Sequence, residues 1–410
     1  ASIVTIGVLV ALIVMMVVFI YILLLGQSEY HKNGIVGSAN RFLTTEIPKK
    51  LDQLATRMCS DRIYRVWNKF AGYCFFSRNP FLQIFYLALT LGGLSIFMFA
   101  AFPRLPLHHQ INTIFISVCT MTSFLMACFA DPGKITKENH HKYIDNYPFD
   151  GVVYRPKECR TCHFIKPARS KHCSLCNMCV ARYDHHCPWL NTCVGAKNIR
   201  WFITFLFFTT IFCAFGTYYS LYVVWYDVII RYRMLDMRIG NAPLPYTLLF
   251  QYIMYYGGPG LFGLCIMGLF AGLAVLGFLF YHLYLIGRNT TTQESFRWSN
   301  ANYYYEAQEP FRKEIISRME AGEKYEKIMQ SVAEEEGENE IELLAEPINI
   351  YQRGFIKNLY EVFVPLSTRS NTSSKPKEHI ALKIKQRDDF HKKQFPPFKS
   401  KTPVAKKKTK

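Results

Sequence analysis

Residues Cys159–Cys193 read CRTCHFIKPARSKHCSLCNMCVARYDHHCPWLNTC. Seven of the chain's 13 cysteines fall in this run, together with His163, His172, His185 and His186. Cys-x-x-Cys pairs occur at Cys159/Cys162, Cys173/Cys176 and Cys176/Cys179. A two-residue gap lets one tight turn aim both sulfurs at a single tetrahedral zinc ion. Two four-ligand sites would use eight of these eleven groups and leave three for other work. A module in which zinc only holds the chain together accounts for the spacing equally well. A disulfide framework does not suit a segment on the cytosolic side, where thiols stay reduced.

Asp184-His185-His186-Cys187-Pro188-Trp189 adds a chemical element. A free cysteine, with a pKa of about 8.5, is only a few per cent thiolate near neutral pH. An adjacent imidazole can take its proton, and a carboxylate can fix that imidazole's tautomer. Acid, imidazole and thiol lie here within four residues.

The stretch resembles the cysteine-rich domain of the DHHC family of protein S-acyltransferases, or palmitoyltransferases. The matching positions are Cys159/Cys162, Lys166-Pro167-x-Arg169, His172-Cys173, Cys176, Cys179, Asp184-His185-His186-Cys187 and Cys193. Thr192 departs from the pattern, which commonly has a second asparagine after Asn191. The resemblance implies one zinc held by Cys159, Cys162, His172 and Cys179, and a second held by Cys173, Cys176, His186 and Cys193. Cys187 is then the implied nucleophile, His185 its base, and Asp184 the residue that orients His185. His163 remains as a surface histidine.

Around this run the chain is organised by apolar blocks. Half of its 410 residues are hydrophobic and 16% are aromatic, and the apolar residues come in uncharged stretches. That pattern points to membrane spans rather than one large soluble core. The blocks are Ile3–Leu25, Phe81–Phe102, Ile111–Ala130, Trp201–Tyr226 and a charge-free region, Ile239–Gly287. In the last, Gly257-Gly258-Pro259-Gly260 separates Leu244–Tyr256, short for a span, from Leu261–Ile286, which is long enough. Five spans are expected. The first block lacks the basic flank of a signal peptide and exceeds a usual signal core, so it is expected to be a retained anchor.

The formal charge is +18. A nucleic-acid partner is set aside because basic residues next to spans are explained by topology and anionic lipid. Gln27–Pro80 carries nine Lys/Arg and Asp131–Arg200 twelve, against one in Pro103–Gln110 and three in Asp227–Arg238. This bias puts the zinc segment and the tail from Arg288 in the cytosol. The expected fold is an all-α polytopic membrane protein with about five transmembrane helices and a small cytosolic two-zinc domain of short strands and loops. The expected division is an anchor (1–26), a cytosolic loop (27–80), two spans (81–130), the zinc domain (131–200), two spans (201–287), a cytosolic C-terminal region (288–366) and a basic disordered tail (367–410).

Asp131-Pro132-Gly133 and Thr291-Thr292-Gln293-Glu294 also match family motifs, although alone they are a turn and a helix capping box. Phe355–Phe363 resembles the family's short C-terminal motif, and Pro310–Val332 looks helical and amphipathic. The family implies transfer of a long-chain acyl group from acyl-CoA to cysteine-containing membrane or membrane-associated proteins. Small residues such as Ala271, Gly272 and Gly277 are expected to line the chain cavity. The competing readings are a RING-like binding module and a non-catalytic scaffold, neither of which needs Asp184, His185 and Cys187. The extra anchor and tail motif resemble the endoplasmic-reticulum branch, with the Golgi as the alternative address. Lys407 and Lys408 have the spacing of a dilysine retrieval signal, and a polybasic segment drawn to anionic lipid accounts for them about as well.

Overall fold

The computed structural model describes residues 31–364 and 375–399, apart from 59 and parts of 232–244 and 337–342, with a few positions between 15 and 30. The expected first span and Lys407/Lys408 lie outside the described residues, the former but for scattered positions. Ile35–Arg41 (α1), Ile47–Met58 (α2) and Asp61–Phe76 (α3) lead into the first described span. Among the described residues four helices are long and apolar enough to cross a membrane. They are built on Phe81–Ala100 (α4), Leu107–Phe129 (α5), Ile199–Tyr222 (α7) and Pro259–Gly287 (α9). The short helix His140–Asn146 (α6) lies between α5 and the zinc segment.

The spans interlock through small residues. A Cβ on Gly268 of α9 would come 2.6 Å from Thr217 Oγ1 of α7, and one on Gly272 would come 3.0 Å from Cys213 Cβ. Such close backbone approach is how apolar helices gain packing in lipid, where no hydrophobic force drives them together. Outward faces stay apolar, with Phe99 87% and Phe129 80% exposed. Tyr246–Gly257 (α8) has only 12 residues, about 18 Å of helix at 1.5 Å per residue, too short for a bilayer core. It ends at Gly258, whose φ of +81° suits glycine, and Pro259 starts α9.

The zinc segment is made of short antiparallel pairs. Lys134–Ile135 (β1), Met178–Val180 (β3) and Lys171–Cys173 (β2) form a sheet in the order β1-β3-β2. His185–Cys187 (β4) pairs with Thr192–Val194 (β5). The departure at Thr192 is accommodated within β5, where the residue is buried opposite Cys187. Asp-Pro-Gly couples the end of α5 to this unit. Asp131 Oδ1 accepts from the N–H groups of Gly133 and Lys134, and Gly133 has a φ of +98°. Asp131 also pairs with Lys197 at 2.8 Å.

Beyond α9 the chain forms Thr292–Ala307 (α10), Glu309–Glu320 (α11), Tyr325–Glu336 (α12), Phe355–Phe363 (α13) and Lys375–Gln394 (α14). The amphipathic stretch expected over Pro310–Val332 is divided into two helices at Gly322, where φ is +91°. The composition after Ser367 suggests disorder, yet α14 is helical and buries Ile380 and Arg387. Its few apolar residues find partners in distant segments, which local composition does not reveal.

Candidate active site and metal centres

Each metal cluster combines a Cys-x-x-Cys turn with a cross-strand His/Cys pair. His172 lies opposite Cys179 and gathers with Cys159 and Cys162; His186 lies opposite Cys193 and gathers with Cys173 and Cys176. In each set the ligand atoms all lie within 4.8 Å of one another. With Zn–S near 2.3 Å and Zn–N near 2.0–2.1 Å, tetrahedral geometry requires ligand separations of about 3.5–3.8 Å. His172 Nδ1 is 3.4 Å from Cys162 Sγ and 3.7 Å from Cys179 Sγ. His186 Nδ1 is 3.3 Å from Cys176 Sγ and 3.8 Å from both Cys173 Sγ and Cys193 Sγ. The two donor sets therefore fit zinc.

The strand repeat explains how neighbours serve different centres. Successive strand side chains point to opposite faces. His172 thus turns to one cluster and Cys173 to the other. In β4, His186 faces a metal cluster, while His185 and Cys187 share the opposite face. His163 is exposed and belongs to neither cluster.

His185 Nδ1 lies 2.6 Å from Asp184 Oδ2. Burial pushes the His185 pKa down, and the hydrogen bond and charge of Asp184 push it back up, which favours proton uptake by the imidazole. Burial pushes the Asp184 carboxyl up, and the hydrogen bond and charge of His185 hold it well below the usual carboxylate range. Thr292 donates to Asp184 twice, from its backbone N–H to Oδ1 at 2.8 Å and from its hydroxyl to Oδ2 at 2.9 Å. Thr291 caps α10 in a reciprocal box with Glu294 and donates its hydroxyl to the Tyr183 carbonyl. The Thr-Thr-x-Glu stretch thus fixes the acid at the N-terminus of α10.

Glu294 also receives Arg169 in a two-point contact, Nε to Oε1 at 2.6 Å and Nη2 to Oε2 at 2.7 Å. Arg169 continues to Asn289, and Arg182 donates to Asn289 Oδ1 at 3.0 Å. Asn289 donates to the Tyr351 carbonyl and to Glu361 of α13. Asn358 of the same helix donates to the Gly287 carbonyl at 2.9 Å. Two buried arginines and two buried glutamates thereby join the zinc segment, the end of α9 and the C-terminal motif. Burial pushes Glu361 up, but Arg182, Arg169 and Arg353 hold it below its ordinary value.

Cys187 is buried and lies on the wall of a cavity of about 480 Å³ among the four spans. Its lining is almost wholly apolar and aromatic, from Trp189 and Phe202 near the thiol to Phe97 and Tyr219 further along α4 and α7. This volume falls within the roughly 300–1,000 Å³ of ligand cavities. Of the residues expected from sequence, Ala271 lines the cavity. Gly272 instead faces Cys213, and a Cβ on Gly277 would meet nothing within 4 Å. Gly268 and Ala274 of α9 complete the wall. The periodicity of so apolar a helix gives no sign of which face looks inward.

His282 escaped the reading of the sequence. It is 1% exposed, and its ring centroid lies 6.0 Å from that of His185 and 5.0 Å from that of Phe202. A single histidine in an apolar run carries no signal of such a partner.

Residues 152–299 match the family model described as DHHC palmitoyltransferase. Palmitoyltransferase swf1 of Emericella nidulans is 32% identical over 285 residues, covering 69% of each chain. Palmitoyltransferase swf1 of Schizosaccharomyces pombe is 30% identical over 87% of this chain and 96% of its own. Palmitoyltransferase ZDHHC4 of Bos taurus is 29% identical over 45% of this chain and 55% of its own. The chain belongs to the DHHC palmitoyltransferase family. It is a multi-pass membrane enzyme of protein S-palmitoyl transfer.

Proposed function

We propose that Cys187 carries the acyl group between a long-chain acyl-CoA and a cysteine of a substrate protein. In the first step Cys187 Sγ attacks the thioester carbonyl, and its proton passes to His185. A new thioester forms on Cys187, the bond to CoA sulfur breaks, and CoA leaves with the proton. In the second step the substrate thiol gives its proton to His185 and attacks acyl-Cys187. The substrate thioester forms and Cys187 regains its proton. Asp184 orients His185 throughout. One thioester replaces another, so the exchange is nearly balanced in energy.

The observation that carries this reading is Cys187 on the wall of the apolar cavity, on the strand face it shares with His185. An acyl chain gains about 0.8 kcal/mol per buried CH₂, which favours the cavity as its seat. Cys159, Cys162, His172 and Cys179 would hold one zinc, and Cys173, Cys176, His186 and Cys193 the other. Filled by four protein ligands, such ions supply structure and keep no position for water. A RING-like module or a scaffold has no use for the Asp184–His185–Cys187 set.

The basic bias of the loops supports a cytosolic zinc domain over 131–200, between spans 81–130 and 201–287, with the tail on the same side. The reading of the address remains the endoplasmic-reticulum membrane, with the Golgi as the alternative. The decisive experiment is labelling of the purified protein with acyl-CoA, followed by hydroxylamine and site mapping. Thioester label confined to Cys187 is the expected result. Label on another cysteine with Cys187 unmodified would overturn the assignment.

A further inference from the structure

A second cleft, of about 320 Å³, lies far along the chain from the catalytic cysteine, between α14 and the segments around α11. Its wall is basic. Arg312 of α11 and Arg387 of α14 are 7% and 6% exposed. Arg312 lies 3.7 Å over the Tyr305 ring and donates Nη2 to the Tyr305 carbonyl. Arg387 donates Nη2 to the Asp150 carbonyl and reaches Asp388 through Nε and Nη2. In both residues Nη1 is buried with no hydrogen-bond partner. Lys383 and His391 stand on the same wall, the former bonded to the Gln352 carbonyl and the latter to the Leu343 carbonyl. Glu346 is the one carboxylate on the wall among the described residues, and it is solvent-exposed.

Arg312, Arg387, Lys383 and His391 bring four basic side chains to one wall against a single exposed carboxylate, which calls for an anionic guest. Planar guanidinium forks match the oxygens of phosphate, and a lysine adds a point charge. The cleft is far larger than one simple ion needs, and the exposed Phe390 offers a face for an organic body. We propose that this cleft binds a phosphate ester, with Arg312 and Arg387 on the phosphate oxygens and Lys383 at the rim. A soluble phosphate monoester and the headgroup of a phosphate monoester lipid share this chemistry. The site stands apart from acyl transfer and does not rest on the roles assigned to Cys187 or His185.

The test uses the full chain, purified in detergent, with thermal unfolding and zinc content as readouts. Inorganic phosphate at about ten times its Kd should raise the midpoint by roughly 1.5 °C over sodium chloride of equal ionic strength. Arg387→Gln and Arg312→Lys should lose that rise. Lys383→Gln, a half-buried position whose change leaves the helix intact, should halve it, with zinc content unchanged in all three. Glycerol phosphate outperforming inorganic phosphate assigns a soluble ester. A rise in phosphatidylcholine vesicles that carry phosphatidic acid, lost in Lys383→Gln, assigns the lipid. A rise that persists undiminished in Arg387→Gln and Lys383→Gln overturns the proposal. So does the lack of a variant-sensitive rise with inorganic phosphate, glycerol phosphate and phosphatidic acid alike.

Discussion

The zinc segment and the junction behind it are held by opposite means. Within residues 159–193 the strands are three residues long, and the two sets of potential metal donors sit beside a buried cluster that includes Phe164, Trp298 and Tyr351. Its short strands converge on the two sets of metal donors. At the junction, among the described residues, no ligand cluster includes Arg169, Arg182, Glu294 or Glu361. Arg169, Arg182, Glu294 and Glu361 are all buried there and bonded through Asn289. The first device shapes the domain. The second docks it on α9, α10 and α13, and Thr292 then holds Asp184 in place. The comparison teaches that folding of the zinc domain and alignment of its chemistry are separable.

Removing a metal ligand is the strongest way to break it. Structural zinc binds with an apparent free energy of about 10–16 kcal/mol in small zinc-finger peptides, so loss of one ligand set should unfold its half of the domain. Cys173→Ala is expected to lower metal content from two ions per chain and to abolish activity and detergent stability together. Metal analysis beside thermal unfolding checks this; two ions retained in the variant would contradict the ligand assignment.

Chemistry should fail next, without the fold. Cys187→Ser is expected to abolish hydroxylamine-sensitive labelling with both metals retained. His185→Ala should slow CoA release in the first turnover by about 10²–10⁴-fold, the usual worth of a positioned acid–base group. His186→Ala, one residue away on the opposite strand face, should lose zinc instead. Equal zinc loss from both histidine variants would mean that the strand alternation does not separate their roles.

The junction offers a third, smaller effect. Breaking a buried ion pair by removing one partner costs about 3–5 kcal/mol, because the remaining charge is left unpaired. Glu294→Gln also weakens the capping box of α10. The expected result is a lower unfolding midpoint and slower acyl transfer, with zinc content unchanged. An unshifted midpoint would show that the metals alone carry the domain.

The ligand clusters were legible because metal coordination constrains spacing within one short run. The cross-strand pairs His172/Cys179 and His186/Cys193 lie only seven residues apart. The spans were legible from uncharged length, and the short α8 from the break at Gly257–Gly260. The junction was legible only in pieces. Arg169 and Glu294 are 125 residues apart, and nothing local to either names the other. The same limit hid the helix at 375–394. Its buried arginine meets the carbonyl of Asp150, 237 residues away. The inner face of α9 was misjudged at Gly272 and Gly277, since every face of that helix is apolar.

His282 allows the finest test of the separation between fold and alignment. It belongs to α9, yet a ring nitrogen lies within 4.8 Å of the Asp184 and His185 donor atoms. Phe202 and Phe278 meet its ring edge-on at 5.0 and 4.6 Å, so the imidazole is wedged between the cavity wall and the acid–base pair. Its expected contribution is to hold the His185 ring in place, through shape rather than charge. His282→Phe keeps an aromatic wedge and is expected to retain acyl transfer within about threefold, which is under 1 kcal/mol in the barrier. His282→Ala removes the wedge and should slow the first step by about tenfold, or about 1.4 kcal/mol, with zinc content unchanged and KM for acyl-CoA little altered. If His282→Phe is the slower of the two, the imidazole nitrogen matters more than the packing, and His282 acts through a hydrogen bond instead.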